Sequence, residues 1–260
     1  MSQEPVPIRP AATIMLVRDE PAFEVLMVKR HHQIDFVPGA MVFPGGKTHA
    51  GDHDPSWAGR CDGWAMVSAE ERPLRIAAIR EAYEETGLLI ARDGENCAFA
   101  GHELAVQARD AIARDQRQFL DLVKELDLRL DLRGLTPFAR WITPAMMPKR
   151  FDTWFYIAAA PLDQLAAHDG WETVDSEWVE PAEVLRMGAA GERKVIFPTR
   201  MNLQLLAESS SAAEATARAA ARPLVTVEPR VQQRADGGYL VIPADAGYGA
   251  VEESLANLRD

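Results

Sequence analysis

The stretch Arg80-Glu81-Ala82-Tyr83-Glu84-Glu85-Thr86-Gly87 constrains this chain more than any other. Its acids recur at intervals of three and four, the repeat of one helix surface, and Gly87 is a residue that can end a helix. Proline is tolerated in a first helical turn, so the pattern predicts a helix over residues 73–86. At about 100° per residue, with Glu81 at zero, Glu85 falls near about 40° and Glu84 near about −60°, while Ile79, Tyr83 and Ile76 gather opposite. Three like charges this close repel unless water screens them or cations compensate them, and hard ions such as Mg2+ or Mn2+ prefer carboxylate oxygen. One face should pack. The other is either a metal-binding surface or an ordinary solvated one.

Upstream, residues 12–17 and 23–29 read as two strands of a hairpin about the polar break Arg18-Asp19-Glu20-Pro21. Met41-Val42-Phe43 adds a short strand, and Pro44-Gly45-Gly46 reads as a tight turn. Residues 47–72 are polar and interrupted by Gly51, Pro55, Gly59 and Gly63, which predicts an inserted loop or lobe anchored by Trp57 and Trp64. Downstream, 105–126 is helical in character and 128–135 is ambiguous. A buried strand is expected at 154–160, then a strand at Trp178-Val179 giving way to a helix at Pro181-Ala182-Glu183. A further helix is expected over 199–220, and VTVEPRV and YLVIP flank Ala235-Asp236-Gly237-Gly238 as a hairpin would. The organisation expected is one domain over 1–260, with 47–72 inserted and 199–260 as a C-terminal helix and hairpin extension. Val25, Met27, Ile79, Tyr83, Phe155 and Ile157 should lie in its core.

REAYEETGL together with the upstream FPGG resembles the signature of the Nudix hydrolase family, GX5EX7REUXEEXGU, where U is a bulky aliphatic residue. Arg80 and Glu81 match its RE pair, Glu84 and Glu85 its EE pair, Gly87 and Leu88 its final GU, and Gly46 its first glycine; Ala82 stands at the first U. The standard spacing from Gly46 would place the arginine at position 60, and it stands at 80, so the resemblance implies an insertion of 20 residues. Counted back from Arg80, the earlier box glutamate falls on Arg72, with Glu70 and Glu71 beside it.

The resemblance implies an α/β fold, the Nudix α/β/α sandwich with a mixed sheet, here with a box insertion and additional helices. It implies divalent-metal-dependent hydrolysis of a nucleoside diphosphate linked to another moiety. Glu81, Glu84 and Glu85 would be catalytic and hold Mg2+ or Mn2+, with Arg80 organising them. Glu177 would act as a downstream catalytic acid or base, with Glu172 its competitor. LMVKRHHQIDFVPGAMVFPGG is similar to the expanded-box branch of coenzyme A diphosphatases, which points to CoA or acyl-CoA. In that reading Lys29, Arg30, Gly45 and Gly46 contact substrate, and Lys149 and Arg150 face its phosphate end. A nucleotide-sugar or ADP-ribose pyrophosphatase is the enzymatic alternative; a noncatalytic nucleotide-binding or protein-interaction module on the same fold is the other.

Charge narrows the partners. With 28 Lys+Arg against 39 Asp+Glu and a net charge of −11, the chain lacks the general basic field that nucleic acid or an anionic membrane would need. No apolar run is long enough to span a bilayer, and the first residues lack a basic-then-apolar leader pattern. The expectation is a cytoplasmic protein acting on a phosphoanhydride-containing small molecule, with a homodimer possible through the added helices and hairpin. Cys61 and Cys97 form no CxxC, and His31, His32, His49 and His53 with Asp52 and Asp54 lack a closed zinc pattern.

Overall fold

A computed structural model describes residues 6–30, 39–161, 163–164, 166, 173–249 and 251–258. His31, His32 and Glu172 lie outside the described residues. The chain runs β1 (Ile8–Arg18), β2 (Glu24–Arg30), β3 (Met41–Val42), β4 (Gly45–Lys47), β5 (Cys61–Asp62), α1 (Glu71–Thr86), β6 (Ala91–Arg92), α2 (Glu103–Ala113), α3 (Phe119–Glu125), β7 (Arg129–Asp131) and β8 (Thr136–Ile142). It continues through β9 (Arg150–Ala159), β10 (Thr173–Val179), α4 (Pro181–Ala189), α5 (Phe197–Leu206), α6 (Ala212–Ala221), β11 (Thr226–Val227), β12 (Arg230–Arg234), β13 (Gly237–Val241) and β14 (Glu252–Ser254).

The main sheet has the order β10-β2-β1-β9-β8-β11, with β3 added to β2 and β4 to β1. It is mixed: β1 and β9 run parallel from Ile8↔Arg150 to Val17↔Ala159, while β1 and β2 form the expected antiparallel hairpin. Strand alternation divides its side chains between two cores. Ala12, Ile14 and Leu16 join Trp154, Tyr156 and the α1 residues Ile76, Ile79 and Tyr83 on one face. Met15, Val17, Val25, Met27, Phe155 and Ile157 pack on the other face against α4, α5 and α6. All six residues expected in the core are buried, and they belong to two layers rather than one. This is the α/β/α sandwich with extra helices. Among the described residues no helix is long and apolar enough to cross a membrane.

Several expected elements are redrawn. Gly45 and Gly46 form a strand instead of a turn, in register with Thr13 and Ala12. The single helix expected over 199–220 is two, because Ser211 accepts a hydrogen bond from Glu214 N–H and starts α6 afresh. The 105–126 region is likewise α2 and α3, parted where Asp115 takes a left-handed φ of 55°. The C-terminal hairpin is β12–β13, and β14 extends it to three strands. Within 47–72, Trp57 is buried, donates through Nε1 to Gly51 O at 2.8 Å and lies 5.7 Å from the Phe119 ring, so the insertion is fastened to the core beside α1.

Helix α1 begins two residues earlier than predicted and ends as expected, with Gly87 at φ 78° and its N–H bonded to Tyr83 O. Its packing differs from the two-faced expectation. The sheet covers one side and the insertion and α2 cover much of the other, so residues 76–86 are all buried, the carboxylates included.

Candidate functional site

Backbone pairing with β1 holds Gly45 and Gly46 directly against α1. The Gly45 N–H donates to Glu85 Oε2 at 3.0 Å. A Cβ on Gly45 would stand 2.5 Å from Ala12 O, and one on Gly46 would stand 2.5 Å from Glu81 Oε1. Only a strand without side chains fits between β1 and the acidic helix, which is why two glycines occur here.

Arg80 is the hub of the buried cluster, with 3% of its surface exposed. Its Nε and Nη2 donate to the two carboxylate oxygens of Asp52, each at 3.0 Å. Nη1 donates to Glu81 Oε1 at 2.8 Å and to both oxygens of Glu84 at 3.2 Å, and Nη2 also reaches Lys47 O at 2.8 Å. A planar guanidinium can serve this many acceptors from one position, which an ammonium cannot. Asp52 is itself held by a 310 turn at Ala50–His53, where it accepts the His49 N–H at 2.7 Å.

Asp52 stands outside the set of residues expected from sequence, and a signal for it was present. The GX5E spacing counted forward from Gly46 arrives at position 52, the acid that Arg80 bonds. Counted back from Arg80, the same position falls on Arg72, which the structure places apart from the cluster. Arg72 lies in the first turn of α1, about 12 Å along the axis from Arg80 at 1.5 Å per residue. There its Nε donates to Trp64 O and Val67 O at 2.9 and 3.0 Å, and its guanidinium covers the Trp64 ring at 4.5 Å. Arg72 therefore closes the end of the insertion. Substituting Arg72→Glu removes these bonds and sets a carboxylate against two carbonyls, for an expected loss of about 1–3 kcal/mol. Chemical denaturation should show that loss, while hydrolytic turnover stays near the wild-type value; a rise in turnover would return the box acid to this position.

The electrostatics follow from one cation serving several acids. Burial raises the Glu81 carboxyl above its ordinary value, with Arg80 and, further down, Arg30 pulling it back. Glu84 is pushed up to about 8, by burial first and by Glu81 in addition, against the pull of Arg80. Burial opposes the charge on Arg80, but Glu81, Asp52 and Glu84 outweigh it and hold the guanidinium more firmly protonated than a free arginine. These directions agree: the arginine is over-supplied with partners, and Glu81 and Glu84 are under-supplied. The surplus negative charge and the all-oxygen donor set fit a hard divalent cation in kind. Among the described residues no three His, Cys, Asp or Glu side chains are gathered into a cage for a metal ion. Glu81 and Glu84 turn oxygens to Arg80, and Glu85 turns one to the Gly45 N–H.

The other expected residues separate. Arg30 belongs to the α1 side, close enough to Glu81 to influence its carboxyl, and its Nε is buried without a hydrogen bond among the described residues. Lys29 follows Met27 onto the opposite face, in register with Asp175. Glu177 is the Cα partner of Met27, shares that opposite face, and lies 3.7 Å from Arg193, so the structure does not bring it to the carboxylates of α1. Arg150 is held by Thr143 O at 2.9 Å and Glu228 at 2.5 Å. His49 lies 3.4 Å from Asp115, and the Cys61 thiol, pushed up to about 12 by burial, stays neutral.

The comparisons with known proteins agree with this geometry. The NUDT19 Nudix domain family matches residues 64–201, more than half of the chain. The human protein named acyl-coenzyme A diphosphatase NUDT19 is 26% identical, over 96% of this chain and 79% of its own. A Caenorhabditis elegans protein named putative nudix hydrolase 7 is 29% identical over 77% of this chain and 61% of its own. The crystal structure of a Nudix hydrolase from Alicyclobacillus acidocaldarius superposes with a TM-score of 0.71 at 28% identity, covering 84% of this chain and 99% of that one. With its sandwich fold, its acidic helix and its glycine strand, the chain belongs to the Nudix hydrolases, in the family of the NUDT19 Nudix domain.

Proposed function

We propose that this hydrolase cleaves the phosphoanhydride of CoA or an acyl-CoA, with Mg2+ or Mn2+ held by Glu81, Glu84 and Glu85. The observation that carries the reading is the buried excess of carboxylate around Arg80, pressed against glycines whose place no side chain could take. The CoA part rests on the named activity of the human relative.

A divalent ion held by Glu81, Glu84 and Glu85 would neutralise charge developing on the phosphates and lower the pKa of a water at the site. The chain's own groups do the rest. Asp52 and Arg80 fix the rotamers of Glu81 and Glu84, so that these acids are held in place before substrate arrives. The Gly45 N–H orients Glu85. Glu84 opens into a cavity of about 370 Å3 and accepts the proton of the attacking water on a carboxylate oxygen. Arg30 offers its guanidinium to a substrate phosphate from the strand end facing the same helix.

A Mg2+- and Mn2+-dependent turnover screen with product masses tests this, comparing CoA, acyl-CoA, ADP-ribose, dinucleoside polyphosphates and nucleotide sugars. An adenosine bisphosphate and a phosphopantetheine appearing from CoA would fix both bond and substrate. Turnover of ADP-ribose or a nucleotide sugar with none of CoA overturns the substrate, and silence across the panel favours a nucleotide-binding module.

A further inference from the structure

The cavity beside Glu84 is built by segments that lie outside the box itself. One wall is the turn at the start of the insertion, with Ala50, Gly51 and the buried Trp57; the other is the link between α2 and α3, with Arg117, Gln118 and Phe119. Its volume of about 370 Å3 falls within the usual span of small-ligand pockets, about 300–1,000 Å3. Arg80 and Glu84 also line it, so whatever fills it is joined directly to the reacting centre.

Its chemistry excludes two kinds of occupant. Its two arginines are already paired, Arg80 with Asp52, Glu81 and Glu84 and Arg117 with Glu125, while burial holds the His49 imidazole below its ordinary range, where it lies 3.4 Å from Asp115. A phosphate would find no cation in need of a partner. The aromatic rings are equally committed. Phe119 lies 5.7 Å from Trp57 on one side and 5.7 Å from Tyr83 on the other, and Trp57 is 1% exposed, so neither ring offers a free face for a base to stack on. What the cavity offers beside the carboxylates of Asp52, Glu84 and Asp115, which disfavour a phosphate further, is an aliphatic wall from Ile112 and Leu120 and one side-chain amide, Gln118, whose oxygen stands over Gly51.

We infer that this cavity holds the uncharged, amide-bearing arm on the non-nucleotide side of the cleaved diphosphate, and that the insertion thereby selects substrates carrying such an arm. The inference rests on the CoA reading for the identity of the arm, which would be pantetheine, while the disfavour toward a phosphate stands on the walls themselves, with their paired arginines and the carboxylates of Asp52, Glu84 and Asp115. The nucleotide half lies outside it.

The test uses the full chain and free pantetheine as the probe, with adenosine bisphosphate as the comparison ligand, each titrated by calorimetry. Two variants alter the walls: Ala50→Trp places a ring at the rim, and Gln118→Ala removes the amide without adding bulk. Pantetheine should bind the wild type and lose about tenfold in affinity in each variant, whereas adenosine bisphosphate should change by less than about twofold. In turnover, KM for CoA should rise about tenfold with kcat held within about threefold, the mark of lost uniform binding and not of a damaged reacting centre. Pantetheine that fails to bind the wild type, or an unchanged KM for CoA in both variants, overturns the inference even if CoA is hydrolysed. Pantetheine binding that both variants weaken, in a protein that does not hydrolyse CoA, sustains the inference and removes the CoA reading.

Discussion

Replacing Arg80 by alanine is expected to lower the free energy of unfolding by about 3–5 kcal/mol, the usual penalty for removing one partner of a buried ion pair. An ordinary domain has about 5–15 kcal/mol in all, so the variant should melt far below the wild type or fail to fold at growth temperature. The size of the effect comes from what is left behind. Asp52 is 3% exposed, Glu81 6% and Glu84 8%, and each would lose the guanidinium it bonds to without gaining access to water, with Arg30 left acting on Glu81. Lys47 O would lose a donor as well. Arg80→Lys should recover only part of the loss, because an ammonium cannot match the two oxygens of Asp52 while also reaching Glu81 and Glu84. Urea unfolding in the presence of a chelator measures this directly. A difference below about 1 kcal/mol between wild type and Arg80→Ala would mean that the acids are neutral, or hydrated, without the arginine.

How far the sequence predicts these features depends on whether the signal is local. The helix over 73–86 is legible because its acids and its aliphatics obey a short period, and Gly87 ends it through its own φ. The break between α5 and α6 was legible too: Ser211-Ala212-Ala213-Glu214 is a start signal that the longer helical pattern obscured. The break at Asp115 carries no glycine or proline and leaves no such mark. Asp52 was reachable by counting forward from Gly46, but counting backward from Arg80 crosses the whole insertion and ends on Arg72. Only the fold shows which count is right, since Arg80 is bonded to Asp52 and Arg72 to the carbonyls of Trp64 and Val67. The face of Glu177 needed the register of β10 on β2, a contact between distant segments. Its neighbour Trp178 packs toward the α1 core, which by alternation sends Glu177 the other way. Burial of the carboxylates was not legible at all, for the covering elements are the insertion and α2.

That burial gives Glu84→Gln two opposite consequences. Hydrolysis should fall by on the order of a hundred- to a thousand-fold, because the variant loses a charged oxygen ligand and a proton acceptor at the reacting centre while keeping shape and size. Stability without metal should rise. An acid whose folded value of about 8 exceeds its ordinary 4.5 favours the fold in its protonated form. Its contribution is fully present below about 4.5, erodes as the unfolded chain ionises above that, and is gone once pH passes about 8, where the folded acid is ionised as well. Glutamine keeps the neutral shape at every pH. In the presence of a chelator the wild type should therefore lose thermal stability between pH 5 and 8, and the variant should lose much less. Adding Mg2+ should stabilise the wild type most at the upper end of that range and the variant hardly at all, since only ions that bind the folded form raise its melting point. A variant that melts below the wild type at pH 8 without metal would show that Arg80 already compensates Glu84 in full, and would remove the surplus charge on which the metal assignment rests.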